Sequence, residues 1–130
     1  MADLVNITAM RANNGSPLIH LYKNSVVLNR RALTLLELSC ESENGYICIK
    51  HLKTHKDRLY ISAGREGDYP IKRLSHRGVV YSTVLSKAVA EQLQGYGTYR
   101  ICPDDIVTDD KDTSRTPHYA IFFKKLSMRN

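Results

Sequence analysis

The feature that most restricts what this chain can become is an internal repeat. Displacing the sequence by 53 residues sets Pro17 on Pro70, Leu18 on Ile71, Leu21 on Leu74, Val26 on Val79, Val27 on Val80, Leu28 on Tyr81 and Asn29 on Ser82 without a gap. Ala32, Leu35 and Leu36 then fall on Leu85, Ala88 and Val89. One further residue of displacement brings Ile47 and Cys48 onto Ile101 and Cys102, and Tyr60 meets Tyr119 across a longer second hairpin loop. A unit used twice in a short chain implies that the copies bury their apolar faces against each other.

Each copy has the same order of element types. An extended run, Leu18 to Tyr22 or Ile71 to Leu74, meets a polar turn, and a β-branched strand follows, Val26-Val27-Leu28 or Val79-Val80-Tyr81. Asn29 and Ser82 are then helix N-caps, because their side-chain oxygen can accept a free amide of the first turn. Apolar residues at three- and four-residue intervals predict helices near Arg30 to Leu38 and Thr83 to Leu93. Two strands close each copy: Tyr46 to Lys50 with Arg58 to Ser62, and Tyr99 to Cys102 with His118 to Phe123. The loop from His51 to Asp57 is short and basic, while that from Pro103 to Pro117 is long, acidic and turn-rich, an expected mobile loop.

The expected fold is therefore mainly β with two short helices, two ββαββ units forming one small pseudo-twofold barrel. Residues 17–125 make the domain, with repeats at 17–62 and 70–125 joined by a linker at 63–69; residues 1–16 are read as a flexible arm and 126–130 as a tail. With 130 residues the chain has room for a real core, and 42% hydrophobic with 25% charged residues is the balance of a globular protein. No apolar run approaches the roughly 20 residues of a membrane-spanning helix, and Met1 to Pro17 lacks the apolar stretch of a secretory signal, so a cytoplasmic location is expected. Cys40, Cys48 and Cys102 form an odd set without paired spacing, which predicts reduced thiols.

Charge points to a partner. Lys and Arg number 19 against 13 Asp and Glu, a net +6. Asp104, Asp105, Asp109, Asp110 and Asp112 with Lys111 hold five acids and one base, a local −4, so everything else carries +10. Such a balance suits a polyanion.

A polar turn, Val-Val-hydrophobic, a capped helix and then a hairpin, present in Ser25 through Leu38 and again in Gly78 through Leu93, resembles the AbrB and MazE family of swapped-hairpin DNA-binding domains. Where the family has proline after the second strand, this chain has Asn29 and Ser82. A double-psi barrel would share the order of elements. The resemblance implies a small barrel of two units, supplied here by one chain as an internal pseudo-dimer or by a homodimer. It also implies a DNA-binding regulator of transcription whose hairpin turns and helix starts carry bases to phosphate. The positions that fall there are Lys23, Asn24, Arg30 and Arg31 in the first copy and Arg73, His76 and Arg77 in the second. Cations at a projecting turn release counterions from double-stranded DNA, and Arg can fork onto guanine.

Other readings stand beside this one. Eight Tyr with two Phe and no Trp could stack on single-stranded nucleic acid, although strands also favour tyrosine. The basic face could instead meet an acidic protein, making the chain a protein-interaction or structural module of a prokaryote or phage. Cys48, His51 and His55 have a zinc-like spacing, but strand alternation puts Cys48 and His51 on opposite faces, so no metal or cofactor is expected. No nucleophile with its base, phosphate-binding glycine loop or paired acids can be recognised, and the chain is expected not to be an enzyme.

Overall fold

In the computed structural model, residues 15–38, 45–55, 58–74, 76–109, 111 and 113–126 are described. The expected arm at 1–16 therefore lies almost wholly outside the described residues. The chain runs β1 (Leu18–Tyr22), β2 (Ser25–Leu28), α1 (Arg30–Leu35), β3 (Gly45–His51), β4 (Leu59–Ala63), β5 (Tyr69–Leu74), β6 (Arg77–Val80), α2 (Thr83–Gln92), β7 (Gly97–Thr108) and β8 (Pro117–Ile121). All eight strands pair antiparallel into a closed barrel of order β1-β2-β6-β5-β3-β4-β8-β7. Closure leaves no full-length sheet edge to template aggregation.

Alternation along the strands fills the barrel. Ile19, Leu21, Val26, Leu28, Ile47, Ile61, Val80, Tyr99 and Ile101 are all almost wholly removed from solvent. Each such side chain contributes about 1.5–3 kcal/mol by leaving water. Ala32, Leu33 and Leu36 of the first helical segment, and Leu85, Val89 and Ala90 of the second, join the same core. The hydroxyl of buried Tyr99 is satisfied too: it donates to Gly95 O (2.6 Å) and accepts from Gln94 N (2.8 Å), tying β7 to the end of α2.

Both helices start at the expected caps. Asn29 Oδ1 accepts from Ala32 N, and Ser82 Oγ from Leu85 N. The first helix is shorter than the sequence predicts. Glu37 adopts φ +59, Glu37 N donates to Thr34 O and Leu38 N to Leu33 O, which closes the helix and turns Leu38 back into the core. Leu38 is thus the apolar contact of a left-handed helix cap, not a further helical residue.

Two expectations are corrected by the strand pairing. The stretch from Pro103 to Pro117 is not all loop, because β7 continues to Thr108 and Ile106, Val107 and Thr108 pair with Tyr119, His118 and Pro117. The ladder is interrupted between Cys102 and Ile106, where Pro103 has no amide to donate. The second correction is the register at which the two expected units correspond. Exchanging β1–β4 with β5–β8 leaves the ring of neighbours unchanged, but the strands match at a displacement of 52 and not 53. His20 opposite Val27 corresponds to Lys72 opposite Val79, and Leu21 opposite Val26 to Arg73 opposite Gly78. Directly opposed residues share a face, so a slip of one would carry core-facing Val26 onto outward-facing Val79. Tyr81 lies between β6 and its cap, so the caps Asn29 and Ser82 are again 53 residues apart. The later strands match at 54 and 58: Cys48 opposite Ser62 answers Cys102 opposite Ala120, and Ile61, not Tyr60, meets Tyr119.

Candidate nucleic-acid interface

The hairpin turns lie where the β2–β6 pairing puts them. Because Leu28 stands opposite Gly78, the turn that enters β6 sits beside the end of β2, at the start of α1. Asn29, Arg30, Arg31, Thr34 and His76 consequently line one depression of about 680 Å³, and Asn29, Leu74, His76 and Arg77 line another beside it. The reciprocal contact occurs at the other end. There the turn Lys23-Asn24 rests on the start of α2, with Thr83 Oγ1 donating to Asn24 Oδ1 (3.5 Å) and Ser86 Oγ donating to Tyr22 O.

Residues that the sequence assigns to separate copies are therefore regrouped. Arg30 and Arg31 share a corner with His76 and Arg77, all four exposed. Lys23 and Asn24, also exposed, stand at the opposite corner with Thr83 and the exposed side chains of Tyr22, Tyr81 and Val84. Arg73 belongs to neither. Its Nε, Nη1 and Nη2 are buried and have no hydrogen-bond partner among the described residues. It lies on β5 two residues from core-facing Ile71, and strand alternation turns it toward the same side. The sequence reading of Arg73 as a surface contact is corrected accordingly.

The corners are held at fixed separation. β2 rises about 10 Å from Ser25 to Leu28, and a turn projects beyond each end, so Lys23 and the basic corner stand at opposite ends of a paired sheet. Asn29 anchors the basic corner: its Oδ1 also accepts from Leu18 N (2.9 Å), and its Nδ2 donates to Ser16 O (2.9 Å). The cations at the start of α1 oppose the helix dipole, and the first turn holds no acid to offset them. His20, on β1, hydrogen-bonds Thr98 Oγ1 through Nδ1 (2.6 Å), and burial followed by the charge of Arg77 lowers its pKa below the ordinary 6.5.

Sequence reasoning missed Thr34, Thr83 and the apolar character of the second corner, because their significance arises only when one half's turn meets the other half's helix. Among the described residues no three His, Cys, Asp or Glu side chains converge as a metal site, and no helix is long and apolar enough to cross a membrane. Compared with known proteins, the chain matches no family model, no curated protein and no solved structure.

Proposed function

We propose that this chain is a double-stranded DNA-binding regulator of the swapped-hairpin type, a duplicated ββαββ unit acting as its own pseudo-dimer. The observation that carries the reading is the convergence of Arg30 and Arg31 with His76 and Arg77 at one exposed corner. Three permanent cations on two elements brought together by the barrel can neutralise neighbouring phosphates at once, and binding of this kind needs no chemistry at the site. The duplicated reading is supported by the strand ring that maps onto itself and by the repeated registers on both sides of it.

A titration of duplex DNA at two salt concentrations tests the proposal. Three phosphate contacts give a slope of about −2.7 in log affinity against log salt, so a fourfold rise in salt should weaken binding about forty-fold. Absence of binding at low salt, or affinity indifferent to salt, overturns the proposal and leaves a protein-interaction role for the basic corner.

A further inference from the structure

The sheet on the far side of the barrel carries a second group of polar side chains. Cys48 stands opposite Ser62 across β3 and β4. The β4–β8 register, Tyr60 opposite Ala120 and Ile61 opposite Tyr119, continues to set Ser62 beside His118. Alternation turns the three away from the core that Ile47 and Ile61 enter. Ser62 and His118 are nevertheless 2% and 5% exposed, because the segments at 64–68 and 113–116 overhang them. Together they line a polar cavity of about 410 Å³, within the size range of small-molecule sites.

We propose that Ser62 and His118 form a serine–histidine acyl-transfer pair that accepts small acyl esters. His118 Nδ1 lies 2.9 Å from Thr116 O, and a carbonyl can only accept, so Nδ1 carries the proton and Nε2 of the neutral ring keeps its lone pair. Directly opposed strand residues have Cβ atoms about 4.5–5.5 Å apart, close enough for a serine hydroxyl to approach that nitrogen. In the step proposed, Ser62 Oγ bonds to the acyl carbon while its proton passes to Nε2. The ester's alkoxide leaves with that proton as the alcohol. Water, deprotonated by Nε2, then attacks the acyl-serine, releasing the carboxylic acid and returning the proton to Ser62. Cys48 is the poorer nucleophile: burial, then Asp68, pushes its thiol above the ordinary value and keeps it uncharged at neutral pH.

The other half of the barrel supplies an internal control. Its matching row is Cys102, Ala120 and Tyr60, which lines a cavity of about 300 Å³ that holds neither a serine hydroxyl nor an imidazole. Alanine is therefore compatible with the strand position that Ser62 occupies, and Ser62→Ala should fold. His118→Asn keeps a donor near Thr116 O but removes the base.

The test is reaction of the full chain with p-nitrophenyl acetate and with a fluorophosphonate probe, followed by peptide mapping. Release of p-nitrophenolate with label on Ser62, abolished in Ser62→Ala, slowed about 100-fold or more in His118→Asn and unchanged in Cys102→Ser, is the expected result. An unlabelled wild type, label on another residue, or undiminished reaction in Ser62→Ala with its circular dichroism intact would overturn the proposal. Its outcome is independent of DNA binding.

Discussion

Val27 and Val79 stand directly opposite each other at the centre of the β2–β6 ladder, and that pairing positions both hairpin turns. It sets the second hairpin's turn beside Asn29 and the first hairpin's turn beside Thr83. The same pairing leaves Gly78 where the ladder is most crowded. A Cβ on Gly78 would lie 2.8 Å from Ile71 Cγ1, nearer still to Cδ1, and 3.0 Å from Leu33 Cδ2. Gly78→Ala should therefore destabilise the barrel by about 1–3 kcal/mol in urea unfolding, the range of overpacked cores.

The two caps are chemically alike but unequal in reach. Asn29 serves Ala32 N, Leu18 N and Ser16 O, whereas Ser82 Oγ serves Leu85 N. Ser82→Ala should cost about 1 kcal/mol, and Asn29→Ala about 2 kcal/mol, because it also frees groups outside the helix. Equal losses in chemical denaturation would show that the extra bonds of Asn29 contribute nothing net.

Arg30→Ala, Arg31→Ala and Arg77→Ala should each reduce the salt slope of DNA binding by about one, with little change in fold stability. Arg73→Ala should do the reverse. Its buried guanidinium has no path to phosphate, so unfolding midpoints should move while the slope stays constant. A slope change on replacing Arg73 would place that side chain at the DNA.

The neutral His20 ring makes stability depend on pH. Its folded value is lowered, and unfolding restores the ordinary 6.5, so between the two values the unfolded chain binds more protons. The contribution is complete above about pH 6.5, falls as pH drops toward the lowered folded value, and levels off below it. His20→Gln should flatten the fall in urea midpoint between about pH 7.5 and about pH 5. An unchanged profile would assign the dependence to other groups.

The acidic segment should leave the basic corner nearly undisturbed. Lys50 Nζ pairs with Asp109 Oδ2 at 3.1 Å. Gly45 stands opposite Ile71 across β3 and β5; Lys50 lies five strand residues to one side of that pair, and Leu74, which precedes the turn at His76, three strand residues to the other. Strand rises over those two stretches add to about 26 Å, several times the roughly 8 Å screening length at physiological salt. Replacing Asp109, Asp110 and Asp112 with Asn should change DNA affinity less than about threefold at that salt. A large gain would mean that the segment masks the corner.

The sequence by itself determined the element types and their order, because the signals involved act over a few residues. Asn29 and Ser82 cap helices three residues away, Val26-Val27 and Val79-Val80 favour extended backbone, and the apolar spacing of Ala32, Leu36, Leu85 and Val89 marks the buried helix faces. Only the tertiary structure decided register, strand length and grouping. A displacement of 52 or 53 is nearly indistinguishable in a string of Val and Leu, yet only 52 matches core-facing Val26 to Gly78, which stands opposite core-facing Leu28, since opposed strand residues must share a face. The same geometry buries Arg73, extends β7 to Thr108, joins Arg30 to His76 and sets Ser62 beside His118. Each of those outcomes depends on residues far apart in the chain meeting across a ladder, which no local pattern encodes.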